Sequence, residues 1–403
     1  MSNSDAALAK IEGVQKRALA CAVVGILLFL IWGWHESTLP GGNGWQAFFQ
    51  SYIYAYVCWT LLPLGSLGFL MLHHLTGGTW GIPIRRILEA STRTLPVMLV
   101  LFVPILLGIS RLYIWAQPDM VAADPILQYK RPYLNPEFFT IRTLVYFAGW
   151  ILIAFVLNKM SQEQDRTGDP TLAHRMSIVS GPSFVVWALF ITGASIDWLM
   201  SLEPHWFSTI YGFLFIVISG LAALCFSVLM VRILSETEPL KDVIEPKRLN
   251  DLGNLMLALV MLWTYMSFSQ FLIIWAGNLK DEIPWYLVRA FGPWAGVAAF
   301  LLVFHFAVPF LSLLQRHLKR RIQSLVKIAI LILVLTLVDV YWLVVPAYET
   351  KAPQLLPLLM DIFALIGIGG LWLAAFLTQL KKRPLVALHD TRFAAVFEHE
   401  HGD

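Results

Sequence analysis

Apolar runs of about 20 residues recur along this chain with hardly a charge inside them. Ten spans can be drawn, at about 17–34, 46–72, 94–115, 138–158, 177–199, 207–233, 252–276, 289–314, 325–346 and 355–379. Crossing roughly 30 Å of hydrocarbon takes about 20 helical residues. In lipid, every backbone polar group must be satisfied within its own segment or a closed barrel. These requirements predict an all-α integral membrane protein. Composition agrees: 14% of residues are charged, against about 25% in a soluble domain. Nucleic acid is not an expected partner; lipids are.

An even number of spans puts both termini on one side. Seven of the 29 Lys and Arg fall on the opposite face: Arg111, Lys130, Arg131, Arg142, Lys280, Arg289 and Lys351. The other 22, among them Arg85, Arg86, Lys247, Arg248, Arg316, Lys319, Arg320 and Arg321, belong to the termini and the even-numbered loops. The positive-inside rule therefore places both termini in the cytoplasm of a multi-pass plasma-membrane protein. Residues 1–16 are polar and Arg17 leads straight into a full-length apolar segment, so no cleavable signal is expected. Cys21, Cys58 and Cys225 all lie in apolar runs and read as small buried residues.

The stretch Ile191–Gly212, ITGASIDWLMSLEPHWFSTIYG, is the most informative. One apolar run ends at Asp197 and the next begins near Phe207. Between them stand Glu203, Pro204, His205 and the tryptophans Trp198 and Trp206. Tryptophan favours the headgroup region, so this reads as a tight turn on the outer surface with acid and imidazole groups at its lip. The outer connection Ala116–Glu137 holds Pro118, Pro125, Pro132 and Pro136 and is expected to be extended and stiff, as a docking surface or plain coil. The inner connection Ser235–Asn250 reads as a short solvated segment, and the polar tail Lys381–Asp403 as lying on the inner face.

Prolines inside spans, at Pro63, Pro104, Pro182 and Pro309, should bend their helices. Gly65-x-x-Gly68 and Gly292-x-x-x-Gly296 offer close helix contacts. Ser51-Tyr52-Ile53-Tyr54 and Ser208-Thr209-Ile210-Tyr211 sit 157 residues apart, and Phe69 meets Phe226 at the same offset. This suggests two parallel four-span units, spans two to five and six to nine, flanked by spans one and ten. The segments are then 1–45, 46–200, 201–350 and 351–403.

Ionisable groups at membrane depth are costly and mark sites of function by default. His305 is the one histidine deep within a span, and Asp339 lies fourteen residues into span nine. Arg111, Asp197, Glu203, His205 and Asp361 share the depth of the outer surface; His73 and His74 end span two. A proton route would run from His305 in the inner half to Asp339 and Asp197 in the outer half, bridged by Thr264, Tyr265, Ser267 and Ser269. The alternative is that each group satisfies a neighbouring helix and conducts nothing. A quinone site needs an apolar cleft plus a group that takes the quinol proton; Asp197 and His205 beside Trp198 and Trp206 fit that description. One deep histidine cannot supply the axial pair of a transmembrane haem, there is no four-Cys iron–sulfur set, and no nucleotide-binding loop is present.

Asp197–Gly212, DWLMSLEPHWFSTIYG, resembles the signature of the membrane subunits of bacterial alternative complex III. Tyr133–Arg142, YLNPEFFTIR, is similar to that family's lead-in to its fourth span, and Arg383–Arg392, RPLVALHDTR, to the end of its F subunit. The resemblance runs from the first span to the tail. It implies the polysulfide-reductase (NrfD-like) type: ten spans, two four-helix bundles and two peripheral helices, closer to F than to its paralogue C. It implies a respiratory complex that oxidises quinol and reduces a periplasmic c-type cytochrome or copper protein. The chain itself would bind no metal. Multihaem cytochrome c and iron–sulfur partners would hold the redox centres, beside the C-type paralogue and, in some assemblies, a terminal oxidase. The quinol site would belong to C, with this chain contributing structure and a proton path or quinone contact through Asp197, Glu203, His205, His305, Asp339 and Arg111. A purely structural anchor and a free-standing secondary transporter are the competing readings.

Overall fold

The computed structural model describes residues 3–38, 44–237, 240–349 and 355–387. Lys351, the last five residues of RPLVALHDTR and the tail beyond them lie outside these. All regular structure among the described residues is helical. In chain order the helices are α1 (Asn3–Thr38), α2 (Gly44–Thr76), α3 (Arg85–Thr92), α4 (Leu95–Leu107), α5 (Ile109–Leu112), α6 (Pro118–Ala123), α7 (Pro125–Lys130), α8 (Pro136–Thr167) and α9 (Thr171–Trp198). After the lip come α10 (Tyr211–Leu234), α11 (Leu240–Val243), α12 (Pro246–Gly277), α13 (Ile283–Arg289), α14 (Ala295–Leu301), α15 (Val308–Leu314), α16 (Arg316–Lys319), α17 (Ile322–Val344) and α18 (Leu355–Leu380).

Among the described residues, nine helices or helix pairs are long and apolar enough to cross a membrane, and α3 with α4, bent by 41°, makes a tenth. The protein is an all-α integral membrane protein. The third span starts earlier than its apolar run at about 94. Its first turns, RRILEAST, carry Arg85, Arg86 and Glu89, which hide their charges against each other.

Helices α2 and α10 open the two units suggested by the repeat, and both are buried on nearly every side, as expected of a helix apolar all round. They cross at Gly65, where a β-carbon would stand 1.9 Å from the Ser219 carbonyl oxygen. Gly68 faces the ring of Trp187, whose indole N–H donates to the Leu64 carbonyl at 3.0 Å. Around α2 stand α3, α4 and α9, with α8 on α9; around α10 stand α12 and α17, with α14 and α15 closing that bundle. Helices α1 and α18 lie along each other outside both, joined where Gly25 meets Gly367. The other glycine pair makes no such contact. A β-carbon on Gly296 would meet nothing within 4 Å, and Gly292 abuts only its own preceding turn.

The Pro-rich connection is helical rather than extended. Pro118, Pro125 and Pro136 each start a helix, at the position where a missing N–H costs nothing and φ is already helical. Asp124 and Asn135 cap two of these starts, accepting from Ile126 N at 2.8 Å and Phe138 N at 2.9 Å. The connection 235–250 is also more buried than its charges suggest: Leu240, Val243 and Arg248 are all buried. Of the intraspan prolines, Pro309 follows a π-helical turn at Leu302–Ala307 and Pro104 precedes the end of α4. Pro63 and Pro182 lie within unbroken helices.

Candidate functional site

The lip is built from ion pairs. Asp197, fully buried at the end of α9, receives two bonds from the Arg142 guanidinium of α8, at 2.8 and 3.0 Å, and one from the Tyr146 hydroxyl at 2.9 Å. This two-pronged match is the strong form of a carboxylate–arginine pair. Arg142 also lies over the Tyr133 and Phe138 rings. Glu203 is held by Arg289, at 2.5 Å. That guanidinium also donates to the Trp342 and Leu343 carbonyls and sits on Trp285. His205 stands 2.6 Å from Asp124 and ties the lip to the outer connection, and Lys130 donates to the Pro204 carbonyl at 2.5 Å.

The lip is therefore not one acid–imidazole cleft. A shallow cleft does exist there, lined by Tyr133, Ile196, Met200, Pro204, Trp206 and Phe207, but neither Asp197 nor His205 faces it. The reason is electrostatic. A carboxylate at this depth is tolerated when an arginine covers it, and the covering arginine excludes a substrate from the same oxygens. Arg111 is exposed beyond these pairs.

The second bundle holds a different arrangement. Asp339, buried in α17, accepts the indole N–H of Trp263 from α12 at 2.9 Å. The same ring lies 4.4 Å, centre to centre, from the buried His305 imidazole. Neither nitrogen of His305 meets a protein hydrogen-bond partner. His305 sits in the π-helical turn before Pro309; Pro309 has no N–H to offer the carbonyl four residues back, and such widened turns recur at functional sites. Toward the lip face, Cys58 of α2 has Asp339 and Asp361 as charged neighbours. Asp361 of α18, also buried, has the hydroxyls of Ser51 and Tyr341 beside it. Tyr341 meets the Tyr54 ring edge-on at 5.3 Å, and the Tyr54 hydroxyl donates to the Leu337 carbonyl. The row opens into a cavity of about 320 Å³, where Glu36, Ser51, Tyr341, Tyr348, Glu349 and Asp361 share the wall with apolar side chains such as Trp32, Val345 and Met360.

This row differs from the route expected through span seven. Tyr265 is 63% exposed and Thr264 bonds back to the Val260 carbonyl. Placing Trp263 on the bundle side turns Tyr265, two residues on, toward the outside. Nor does the row continue on the other side of His305. The buried Met256, Val260, Ala329 and Ile332 of α12 and α17 there are apolar, and the buried Thr336 spends its hydroxyl on the Ile332 carbonyl; nearer the helix ends Lys319 bonds Asn254 at 2.6 Å.

At the face carrying the chain ends, Glu89 is ringed by Arg85 at 3.0 Å, Arg86 at 2.6 Å, Arg383 at 3.3 Å and the Ser161 hydroxyl at 2.6 Å. Arg86 also pairs with Asp165, and Arg383 donates to the Asn158 carbonyl. Arg85 and Arg86, counted above as loop arginines, are buried, Arg383 is half-buried, and together with Glu89 they bind α3, α8 and the segment after α18 into one knot.

The chain matches no protein-family model and no curated protein.

Trp263, Glu89, Tyr146 and Tyr341 belong to this geometry and are not among the residues read from the sequence. Trp263 is an oddity that could have been noticed, since tryptophan favours span ends and this one lies at mid-span. Glu89 is signalled by its spacing from Arg85 and Arg86, four and three residues, which places all three on one helix face.

Proposed function

We propose that this chain is an integral subunit of a respiratory quinol-oxidising complex of the alternative complex III kind, and that its own share is proton movement in the second bundle. The complex would reside in a bacterial plasma membrane, with both termini cytoplasmic. The observation that carries the proton role is a pair of buried acids on either side of Cys58: Asp361, with Ser51 and Tyr341 at a cavity, and Asp339, held by Trp263 beside an imidazole without protein partners. The membership rests on the DWLMSLEPHWFSTIYG, YLNPEFFTIR and RPLVALHDTR resemblances. On this reading haem c and iron–sulfur clusters sit in periplasmic partners. The C-type paralogue lies alongside in the bilayer, a terminal oxidase joins in some assemblies, and quinol is oxidised in the complex rather than by this chain.

Chemically, Asp361 exchanges protons with the cavity, where the hydroxyls of Ser51 and Tyr341 are its hydrogen-bond partners, and Cys58 lies near both Asp361 and Asp339. Trp263 cannot be a relay, because an indole donates and does not accept. It orients Asp339 and seals the gap to His305, so transfer between those two groups needs water or a swing of the imidazole.

A second reading, a purely structural anchor, is favoured by the ion pairs at Asp197, Glu203 and Glu89, which tie helices rather than face a substrate. Asp339→Asn and His305→Ala decide between them. In the reconstituted complex, loss of proton release with assembly intact supports conduction; unchanged quinol turnover and proton release leave only the anchor. Purification in mild detergent tests membership separately. Co-purifying c-type haem and iron–sulfur absorbance supports it, and a colourless monomer overturns it.

A further inference from the structure

A cleft of about 310 Å³ opens between α1, α2, α10, α17 and α18, with almost nothing polar along it. Its wall on α10 runs from Ala222 to Leu234, a helical rise of about 18 Å. The deep end, at Cys58 and Leu337, lies mid-span; the mouth, at Ile11, Leu234 and Leu377, lies at the face carrying the chain ends. One leaflet of hydrocarbon is roughly 15 Å thick, so the cleft has the length of a single acyl chain in that leaflet.

The deep end offers nothing to a polar head. The Thr336 hydroxyl is already bonded to the Ile332 carbonyl at 2.9 Å, and the Cys58 thiol faces Tyr54. An occupant must therefore enter tail first and keep its head at the mouth. The mouth is basic. Lys381 follows the lining residue Leu377 by four positions and pairs loosely with the exposed Glu12 of α1 at 3.6 Å. Arg232 follows the lining residue Leu229 by three. A spacing of four keeps Lys381 in line with Leu373 and Leu377, and Arg232, next to the lining Ile233, stands at the edge of the cleft face of α10.

We propose that an anionic phospholipid of that leaflet is a structural component of the protein, one acyl chain lying in the cleft and its phosphate held between Lys381 and Arg232. The lipid fills the seam between the peripheral pair α1 and α18 and the second bundle.

The test is native mass spectrometry of the delipidated full chain, titrated with phosphatidylglycerol or phosphatidylcholine in mixed micelles. Phosphatidylglycerol binds preferentially, and Lys381→Ala and Arg232→Ala each weaken it about fivefold, as expected for one cation near an anionic headgroup. Leu229→Trp fills the cleft and abolishes binding of both lipids, whereas Leu152→Trp, on the 62% exposed face of α8, changes nothing. Equal binding of the two lipids, or wild-type binding by Leu229→Trp, overturns the proposal. So does recovery of a quinone instead of phospholipid from the purified protein. Should Leu229→Trp not fold, the Lys381→Ala/Arg232→Ala double variant decides alone, since both positions lie at the helix ends.

Discussion

Trp263 donates its indole N–H to the Asp339 carboxylate at 2.9 Å, across the interface of α12 and α17. That single bond fixes where the deepest acid of the second bundle points. It also makes the acid depend on a tryptophan whose other face is given to His305. Trp263→Phe keeps the ring on His305 and removes the donor. Leaving the buried carboxylate without its partner costs about 1–3 kcal/mol, read as a lower unfolding temperature in detergent. The double variant Trp263→Phe/Asp339→Leu recovers much of that loss.

Arg142→Ala strands Asp197 as an uncompensated buried charge. The expected loss is about 3–5 kcal/mol, larger than for Trp263→Phe because two bonds and a full counter-charge disappear together. Replacing both partners, Arg142→Met with Asp197→Leu, restores most of the stability. If the double variant is as unstable as Arg142→Ala, the pair does more than neutralise itself.

Gly65 and Gly296 give opposite outcomes for the same substitution. Gly65→Ala drives a methyl group into the Ser219 carbonyl, so α2 and α10 must separate, at about 1–3 kcal/mol for overpacking. Gly296→Ala meets open space and changes stability by less than about 1 kcal/mol. Thermal unfolding of the two variants side by side measures the contrast.

The Asp124–His205 contact makes the connection Ala116–Glu137 sensitive to acid. Partial burial works against the Asp124 charge, but the Ile126 amide, the His205 ring and the Leu127 amide outweigh it and hold the carboxyl below the ordinary aspartate range. A lowered carboxyl contributes stability that is fully present above its unfolded value of about 3.9. That contribution is lost as pH falls through the lower folded value. Amide exchange at Ile126 and Leu127, corrected for intrinsic rate, should therefore stay protected to below about pH 3.9, and Asp124→Asn should remove part of that protection at neutral pH.

The number and position of the spans were legible because each is a run of apolar side chains, a property of consecutive residues that no later packing can change. Small residues were a weaker guide: Gly65 does bring α2 against α10, but Gly292 and Gly296 carry the same signal and meet no neighbouring helix. The sites were legible only as residue types. Asp197, Glu203 and His205 stand together in sequence, yet each takes its partner, Arg142, Arg289 or Asp124, from a segment far along the chain. Those pairings decide that the lip is a set of clasps.

Sequence by itself determined that this chain is a bundle of membrane helices and which costly groups it carries to depth. Tertiary structure alone decided which of those groups are neutralised by a neighbour and which, like His305, are left facing aromatic and apolar walls. The reason is that burial of a charge is settled by what lies within a few ångströms, and in a helical bundle those atoms come from other helices.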